Sequence, residues 1–392
     1  MKKKYIAFLF FIFSIQGLFS QSLQLSVYSE VSIVTVGPGN ELFEAFGHSA
    51  IRIKDPLLRM DAIYNYGVFD FTPDFYINFA KGRLLYKLVK RPYNYFLLSN
   101  KADERWMKSQ VLNLTQQEKQ AFFLYLEKNA LPQNASYYYD PYFNNCATKL
   151  RDITHDILRD NVQFSYEYVT HKQSLRQLMN KELPWNTWGS FGINLALGTK
   201  LDKVASPSEY LYLPDYIYSA FKSAKKLDNG SYKPLIIKEE ILLSFDEKEQ
   251  KISWINPFFI FSLLFLLAVY ITYKDYKNNK RSKWLDFTIF FITGISGVLI
   301  VFLWFFTDHT TTPNNFNILW ASPLNLVMAF LLLRKNQSKW IRLYLKFGII
   351  LLLISLLLWI AKVQLFSLAI LPLIAMLIIR YYYLSKLLSF KK

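Results

Sequence analysis

The last third of this chain limits its possible folds more than any other part. Five apolar segments, at about 255–273, 285–306, 316–333, 347–361 and 365–379, follow one another with short polar breaks. Inside hydrocarbon every backbone N–H and C=O needs a partner within the protein, so segments of this kind fold as membrane-crossing helices. Some fall short of the roughly 20 residues a crossing needs, and flanking Tyr and Trp have to make up the length. The breaks differ in charge. Lys274, Lys277, Lys280, Arg281 and Lys283 lie in the first, and Arg334, Lys335, Lys339, Arg342 and Lys346 in the third. Arg380, Lys386, Lys391 and Lys392 follow the last segment, whereas 307–315 has no Lys or Arg and the fourth break has only Lys362. Because cytoplasmic loops collect positive charge, the first and third loops and the C-terminus are expected inside.

The N-terminus gives the same orientation independently. MKKKYIAFLFFIFSIQGLFSQS has three lysines, an apolar run and small residues near Ser20, the pattern of a secretory signal peptide over 1–20. A mature chain then begins near Gln21, with the aqueous region 21–253 outside the cytoplasm. An odd number of crossings is needed to join an outside domain to an inside C-terminus, and five satisfies this. The formal charge of +17, in a chain that is 52% hydrophobic, sits beside apolar runs and not in a separate basic stripe. That distribution points to a membrane partner and away from nucleic acid.

Within the aqueous region the patterning predicts an α+β domain. Residues 31–36 are apolar and β-branched and end at Gly37-Pro38-Gly39, so a strand and turn are expected, with a short helix over 40–46. FGHSAIRIKD alternates, placing His48 near the start of a second strand beside Gly47. After Asp55-Pro56, AIYNYGVFDF over 62–71 reads as its antiparallel neighbour and carries Asn65 and Tyr66. A short helix over 73–81 ends at Gly82, 84–98 looks extended, and 102–114 and 115–130 read as helices. The second of these opens on a capping box, Thr115 with Glu118, and ends at Pro132. Residues 235–245 read as a hairpin or extended pair.

The only cysteine lies in YYYDPYFNNCATKLRDITHDIL, 137–158. Asn144 is a plausible N-cap, with a helix from about Asn145 to Leu158 in which Cys146, Leu150, Ile153 and Ile157 share the buried stripe. Outside the cytoplasm a lone cysteine has no intramolecular disulfide partner, and packing alone would permit it as a small buried apolar group. At a helix N-terminus, however, the dipole and backbone N–H groups lower a thiol pKa and stabilise an oxyanion. His155, nine residues on, lies about 180° round the helix and cannot reach the sulfur. His171 sits in a polar loop, which leaves His48 as the base.

A His on one strand, a polar residue on the next and then Asn-Cys at a helix start is the order found in circularly permuted papain-like folds. The chain resembles the permuted NlpC-type superfamily, which includes the lecithin:retinol acyltransferases. More specifically, FGHSAIRI, IYNYGVFDF and YDPYFNNCATKLRD, followed by the multi-span C-terminal region, resemble the Bacteroidota-type lipoprotein N-acyltransferases, Lnb, across nearly the whole chain. The resemblance implies a permuted papain-like periplasmic domain, 21–253, ahead of an all-α five-span domain, 254–392, in the inner membrane. It implies transfer of a fatty acyl chain from a phospholipid to the α-amino group of a diacylglyceryl-cysteine lipoprotein, with Cys146 as nucleophile and His48 as base. Asn65 matches the orienting position, with Tyr66 or Asp70 as alternatives if the register differs. Asn145 and Tyr66 are expected beside the substrate, and neither a cofactor nor a metal is required. A membrane-anchored cell-wall peptidase and a non-enzymatic envelope scaffold are the rival readings.

Two further stretches are candidates for lipid contact. The loop DHTTTPNNFNILWASPLN is polar for its depth: Asp308 and His309 could meet a headgroup, and Asn315, Asn317 and Asn325 could bond lipid ester or phosphate groups. Two adjacent residues are too few to define a metal site. Trp185 and Trp188, in an aromatic run without a clean helical period, fit a surface at lipid headgroups as well as burial.

Overall fold

The computed structural model describes residues 23–247, 253–335 and 337–388. The signal peptide expected over 1–20 lies outside them.

The aqueous part is built on a seven-stranded antiparallel sheet whose strands lie in the order Ile236–Leu243, Met107–Leu112, Glu30–Val36, His48–Asp55, Met60–Val68, Leu85–Pro92 and Ser136–Tyr138. The expected meander forms: β1 (Glu30–Val36) pairs with β2 (His48–Asp55), with Val36 opposite His48, and β2 pairs with β3 (Met60–Val68). α1 (Phe75–Ala80) follows, then β4 (Leu85–Pro92), α2 (Tyr93–Ala102) and β5 (Met107–Leu112). Two expectations are corrected in this stretch. The segment 84–98 is half strand and half helix, and 102–114 contains a strand where a helix was expected. MKSQVL is a short apolar run whose period does not separate helix from strand, and its place between β1 and the strand Ile236–Leu243 decides the matter. The segment 40–46 forms turns and bends, not a helix.

α3 (Gln116–Ala130) has the predicted capping box: the Glu118 N–H donates to Thr115 Oγ1 at 3.3 Å, and Glu118 Oε2 accepts from the Thr115 N–H at 2.7 Å. A cap of this kind is worth about 1 kcal/mol. After β6 (Ser136–Tyr138) comes α4 (Cys146–Leu158), which lies with α3 on the sheet face carrying Ile33, Ile51, Ile53 and Tyr64. The opposite face, with Val34, Ala50 and Ile63, is covered by α2 through Tyr93 and Phe96. The domain is completed by β7 (Val162–Gln163), α5 (Leu175–Glu182), α6 (Trp188–Ala196), α7 (Pro214–Ser223), β8 (Lys225–Asp228), β9 (Ser231–Pro234) and β10 (Ile236–Leu243). The expected extended pair at 235–245 is a single strand, β10, on the outer side of β5.

Among the described residues four helices are long and apolar enough to cross a membrane: α8 (Pro257–Lys277), α9 (Lys283–Phe305), α11 (Lys339–Ile360) and α12 (Ile370–Leu387). The third expected span is different. It is a single 3-10 turn, Phe316–Leu319, a break at Ser322-Pro323, and the eight-residue α10 (Leu324–Leu331). Pro323 cannot extend the preceding turn, whose start is capped by Asn315 Oδ1 accepting from the Asn317 N–H at 3.0 Å. The segment still runs the length of the bundle: Asn315 meets the aqueous domain at one end, and Arg281 and Lys283 donate to the carbonyls of Leu332 and Leu333 at the other. It lies tight against α9, where a Cβ on Gly297 would fall 2.1 Å from the Ala321 carbonyl oxygen. Small residues permit this approach. One of the charges counted as loop flanks is buried: Arg380 pairs with Asp286 at 2.6 Å and Asp275 at 2.9 Å, while the partly buried Arg281 pairs with Asp286 at 3.0 Å. The remaining lysines keep the charge contrast between loops.

The domain sits on the bundle at several places, among them the Leu365 N–H, which donates to Asp202 Oδ1 at 3.0 Å. At α6, Trp188 Nε1 donates to the Ile255 carbonyl at 2.7 Å, and Trp185 packs on Phe258. At the loop after α9, the Asp308 N–H donates to the Lys81 carbonyl, the Gly198 N–H to Thr311, and Thr310 Oγ1 to Asp140 at 2.5 Å.

Candidate active site

The site forms where β2 and β3 part. Their ladder runs from Ile51 opposite Tyr64 to Asp55 opposite Met60 and stops short of His48. On β3 the pairing with β4 is interrupted between Asn65 and Val68, and Gly67 there has φ +87. A Cβ on Gly67 would lie 3.7 Å from the Cβ of Cys146, an ordinary contact, so it is the left-handed φ that calls for glycine at this point, where the strand passes beside the cysteine. An isolated glycine inside the strand pattern YNYGV was the sequence signal for such an approach.

Cys146 is the first residue of α4 and 7% exposed. Its cap is Asn145, one residue later than expected; Asn144 instead donates through its side chain to the Tyr138 carbonyl at 2.6 Å. The Asn145 Oδ1 accepts from the N–H groups of Ala147 and Thr148 at 3.0 and 2.9 Å, and its Nδ2 donates to the carbonyls of Pro141 and Tyr212. Both acceptor lone pairs and both donors are thereby committed, so Asn145 anchors the helix start and has nothing left for a substrate.

His48 Nε2 lies 2.5 Å from Asn65 Oδ1. With Oδ1 as acceptor, Nε2 carries the proton and Nδ1 is left for the Cys146 thiol, with which the ring is hydrogen-bonded. Burial alone would push the thiol up, but the nearby His48 charge, the His48 hydrogen bond and the N–H groups of Ser49 and Ala147 together bring it below its ordinary value. Burial likewise opposes the imidazolium, yet Cys146 and the Asn65 bond raise His48 above its ordinary value. Each group favours the charged form of the other, the electrostatics of a thiolate–imidazolium pair.

Arg105 also bears on this pair, and nothing in the linear pattern singled it out. It is buried, with Nε donating to the Gly37 carbonyl at 2.9 Å and Nη1 paired with Glu44 at 3.2 Å. Its charge acts against the imidazolium and is itself favoured by the thiolate. The other sequence candidates are elsewhere. Tyr66 is buried in the core, edge-on to Tyr137, and Asp70 pairs with Lys87. Asp308 forms an exposed pair with Arg83, and His309 packs against Phe79. Asn317 is buried and donates to the Asn194 and Leu195 carbonyls, and Asn325 bonds Thr293 within the bundle. His155 is exposed on the far side of α4. Among the described residues no cluster of three metal-ligating side chains occurs.

Comparison with known proteins identifies the two parts together. No curated protein and no solved structure matches the chain. One family model, described as the Lnb N-terminal periplasmic domain, matches residues 19–181, and a second, described as the Lnb transmembrane domain, matches residues 247–392. With both models in order over most of its length, an α+β domain ahead of a helical membrane bundle, this multi-pass membrane protein belongs to the Lnb family.

Proposed function

We propose that the chain is a lipoprotein N-acyltransferase that works through a thioester on Cys146. The observation that carries this reading is the His48 ring held between Asn65 and Cys146. In the first half-reaction the Cys146 thiolate attacks the ester carbonyl carbon of a phospholipid. The N–H groups of Ala147 and Thr148 are taken by Asn145, so the N–H of Cys146 itself is the helix-start donor left for the oxyanion. The C–O bond breaks, His48 gives its Nδ1 proton to the departing lysophospholipid oxygen, and a thioester and neutral imidazole remain. In the second, the α-amino group of a diacylated lipoprotein attacks the thioester, His48 takes the amine proton, and the C–S bond breaks to give the amide. The thiolate–imidazolium pair is thereby restored.

The order His48, Asn65, Cys146 along the chain, with Cys146 at the start of a helix packed on the sheet, fits a circularly permuted papain-like domain. Residues 1–20 act as the signal peptide, the catalytic domain lies in the periplasm, and the C-terminus of the inner-membrane bundle is cytoplasmic. The lysine contrast between loops supports that orientation. Five crossings are retained if the broken 316–331 segment counts as one, because it joins the two ends of the bundle. The test is mass spectrometry of a diacylated lipopeptide incubated with phospholipid and the purified protein. A third acyl chain on the terminal amine and an acylated Cys146 are expected. Full transfer by a Cys146→Ala variant would overturn the scheme.

A further inference from the structure

α1 and the loop before it carry an apolar surface that the fold leaves uncovered. No residue of α1 is buried, and Phe71 and Tyr76 are 71% and 72% exposed, with Ile77 and Phe79 also exposed. The aromatic rings are in mutual contact: Phe75 lies 5.0 Å from Phe71 and 5.4 Å from Tyr76, and Phe69 lies 6.0 Å from the exposed Phe43. Contiguous exposed apolar surface of this kind marks a partner.

The position of the surface says which partner. It is bracketed by two of the places where the domain rests on the bundle. On one side α1 runs into Gly82, whose α-carbon approaches the backbone of Asp308 and His309 just beyond the outer end of α9. On the other, Leu42, next to Phe43, packs over Gly189 beside Trp188, which bonds Ile255 ahead of α8. The patch therefore faces the plane at which the membrane helices end. It also has an inward continuation. Phe69 lies 5.0 Å from Tyr86, Tyr86 stacks on Tyr139 at 4.4 Å, and the Tyr139 ring and Cys146 both border Gly67.

We propose that the aromatic surface around Phe71, Phe75 and Tyr76 is seated in the outer leaflet and receives an acyl chain of the donor lipid, which Phe69, Tyr86 and Tyr139 guide to Cys146. Rings of this type are favoured at the headgroup level, where their apolar bodies enter the acyl boundary. The acyl route rests on the thioester reading above, whereas the seating does not.

Because Cys146 is the only cysteine, a Cys146→Ser background allows a nitroxide to be placed singly at Phe71→Cys or Tyr76→Cys in the full chain in phospholipid nanodiscs. Leu57→Cys, in the turn at the opposite end of β2 and β3, is the aqueous control. Power saturation should show labels at 71 and 76 reached by oxygen and shielded from a water-soluble nickel chelate, with the reverse at 57. Equal exposure to the chelate at all three positions would overturn the seating.

For the route, a Phe71→Asp/Tyr76→Asp variant with Cys146 intact should acylate Cys146 from bilayer dipalmitoyl phosphatidylethanolamine about tenfold more slowly, as two aromatic membrane contacts are lost. Acylation from water-soluble dihexanoyl phosphatidylcholine should fall much less, and alkylation of Cys146 reports that the variant is folded. Equal bilayer rates in variant and parent would overturn the route. Absence of any thioester in the parent would remove the acyl-transfer reading and the route with it, while the label accessibilities would still decide the seating.

Discussion

Two histidines in this molecule sit beside polar clusters, and their environments push them in opposite directions. At His309, burial dominates and lowers the pKa, despite bonds to the backbone of Phe79 and Ala80. At His48, burial acts the same way, but the thiol of Cys146 and the Asn65 amide outweigh it. The clusters differ in how completely their polar atoms are used. Around His309 the loop 307–317 ties domain to bundle through Asp308, Thr310, Asn315 and Asn317, each bonded to a partner within the chain. Around His48 the set closes on two groups, a thiol and an imidazole, that can exchange a proton. A polar cluster bonded across two parts of the chain holds them together; one built around an exchangeable proton can do chemistry.

Substitutions at the two places should separate these roles. Cys146→Ser should have the largest effect, lowering transfer on the order of 10⁴-fold or more, measured as N-acylated lipopeptide by mass spectrometry. His48→Ala should cost about as much, because nucleophile and base act as a unit. It should also move the thiol: with the His48 charge and hydrogen bond gone, burial is left opposed only by backbone N–H groups. The midpoint of iodoacetamide alkylation against pH, below the ordinary thiol value of about 8.5 in the parent, should then rise in the variant. An unmoved midpoint would break the pair. Asn65→Ala should be milder, with kcat falling on the order of 10²-fold and KM little changed, since the ring loses orientation and not its proton chemistry.

At the docking loop the expected changes are in stability. Asn317→Ala removes a buried side chain that donates to α6, and should cost about 1–3 kcal/mol in thermal or denaturant unfolding while leaving the alkylation profile alone. Asp308→Asn should be smallest, within about 1 kcal/mol, because its pair with Arg83 is solvent-exposed. A large drop in Cys146 acylation from either loop variant would show that the loop does more than join domain to bundle.

The sequence by itself determined the parts and their order. An apolar β-branched run wrote β1, alternation wrote β2 and with it the neighbouring β3, Thr115 and Glu118 wrote the start of α3, and uninterrupted apolar stretches wrote four long membrane helices. The buried stripe of α4 placed Cys146 at a helix start and His155 out of reach. These are local signals, legible because side-chain period and capping chemistry act over a few residues. Long-range contact decided the rest. MKSQVL became β5 because β1 and β10 pair with it, and 316–333 broke because Pro323 interrupts it and Gly294 and Gly297 bring α9 against its backbone. Asn145, Asn317 and Asp308 looked available in the linear chain, but their partners at Tyr212, Leu195 and Arg83 are far away in sequence. The juxtaposition of His48, Asn65, Gly67 and Cys146 is of the same kind. It exists because two strands part at their ends and a left-handed glycine carries the backbone past the cysteine, and those are properties of packed backbone.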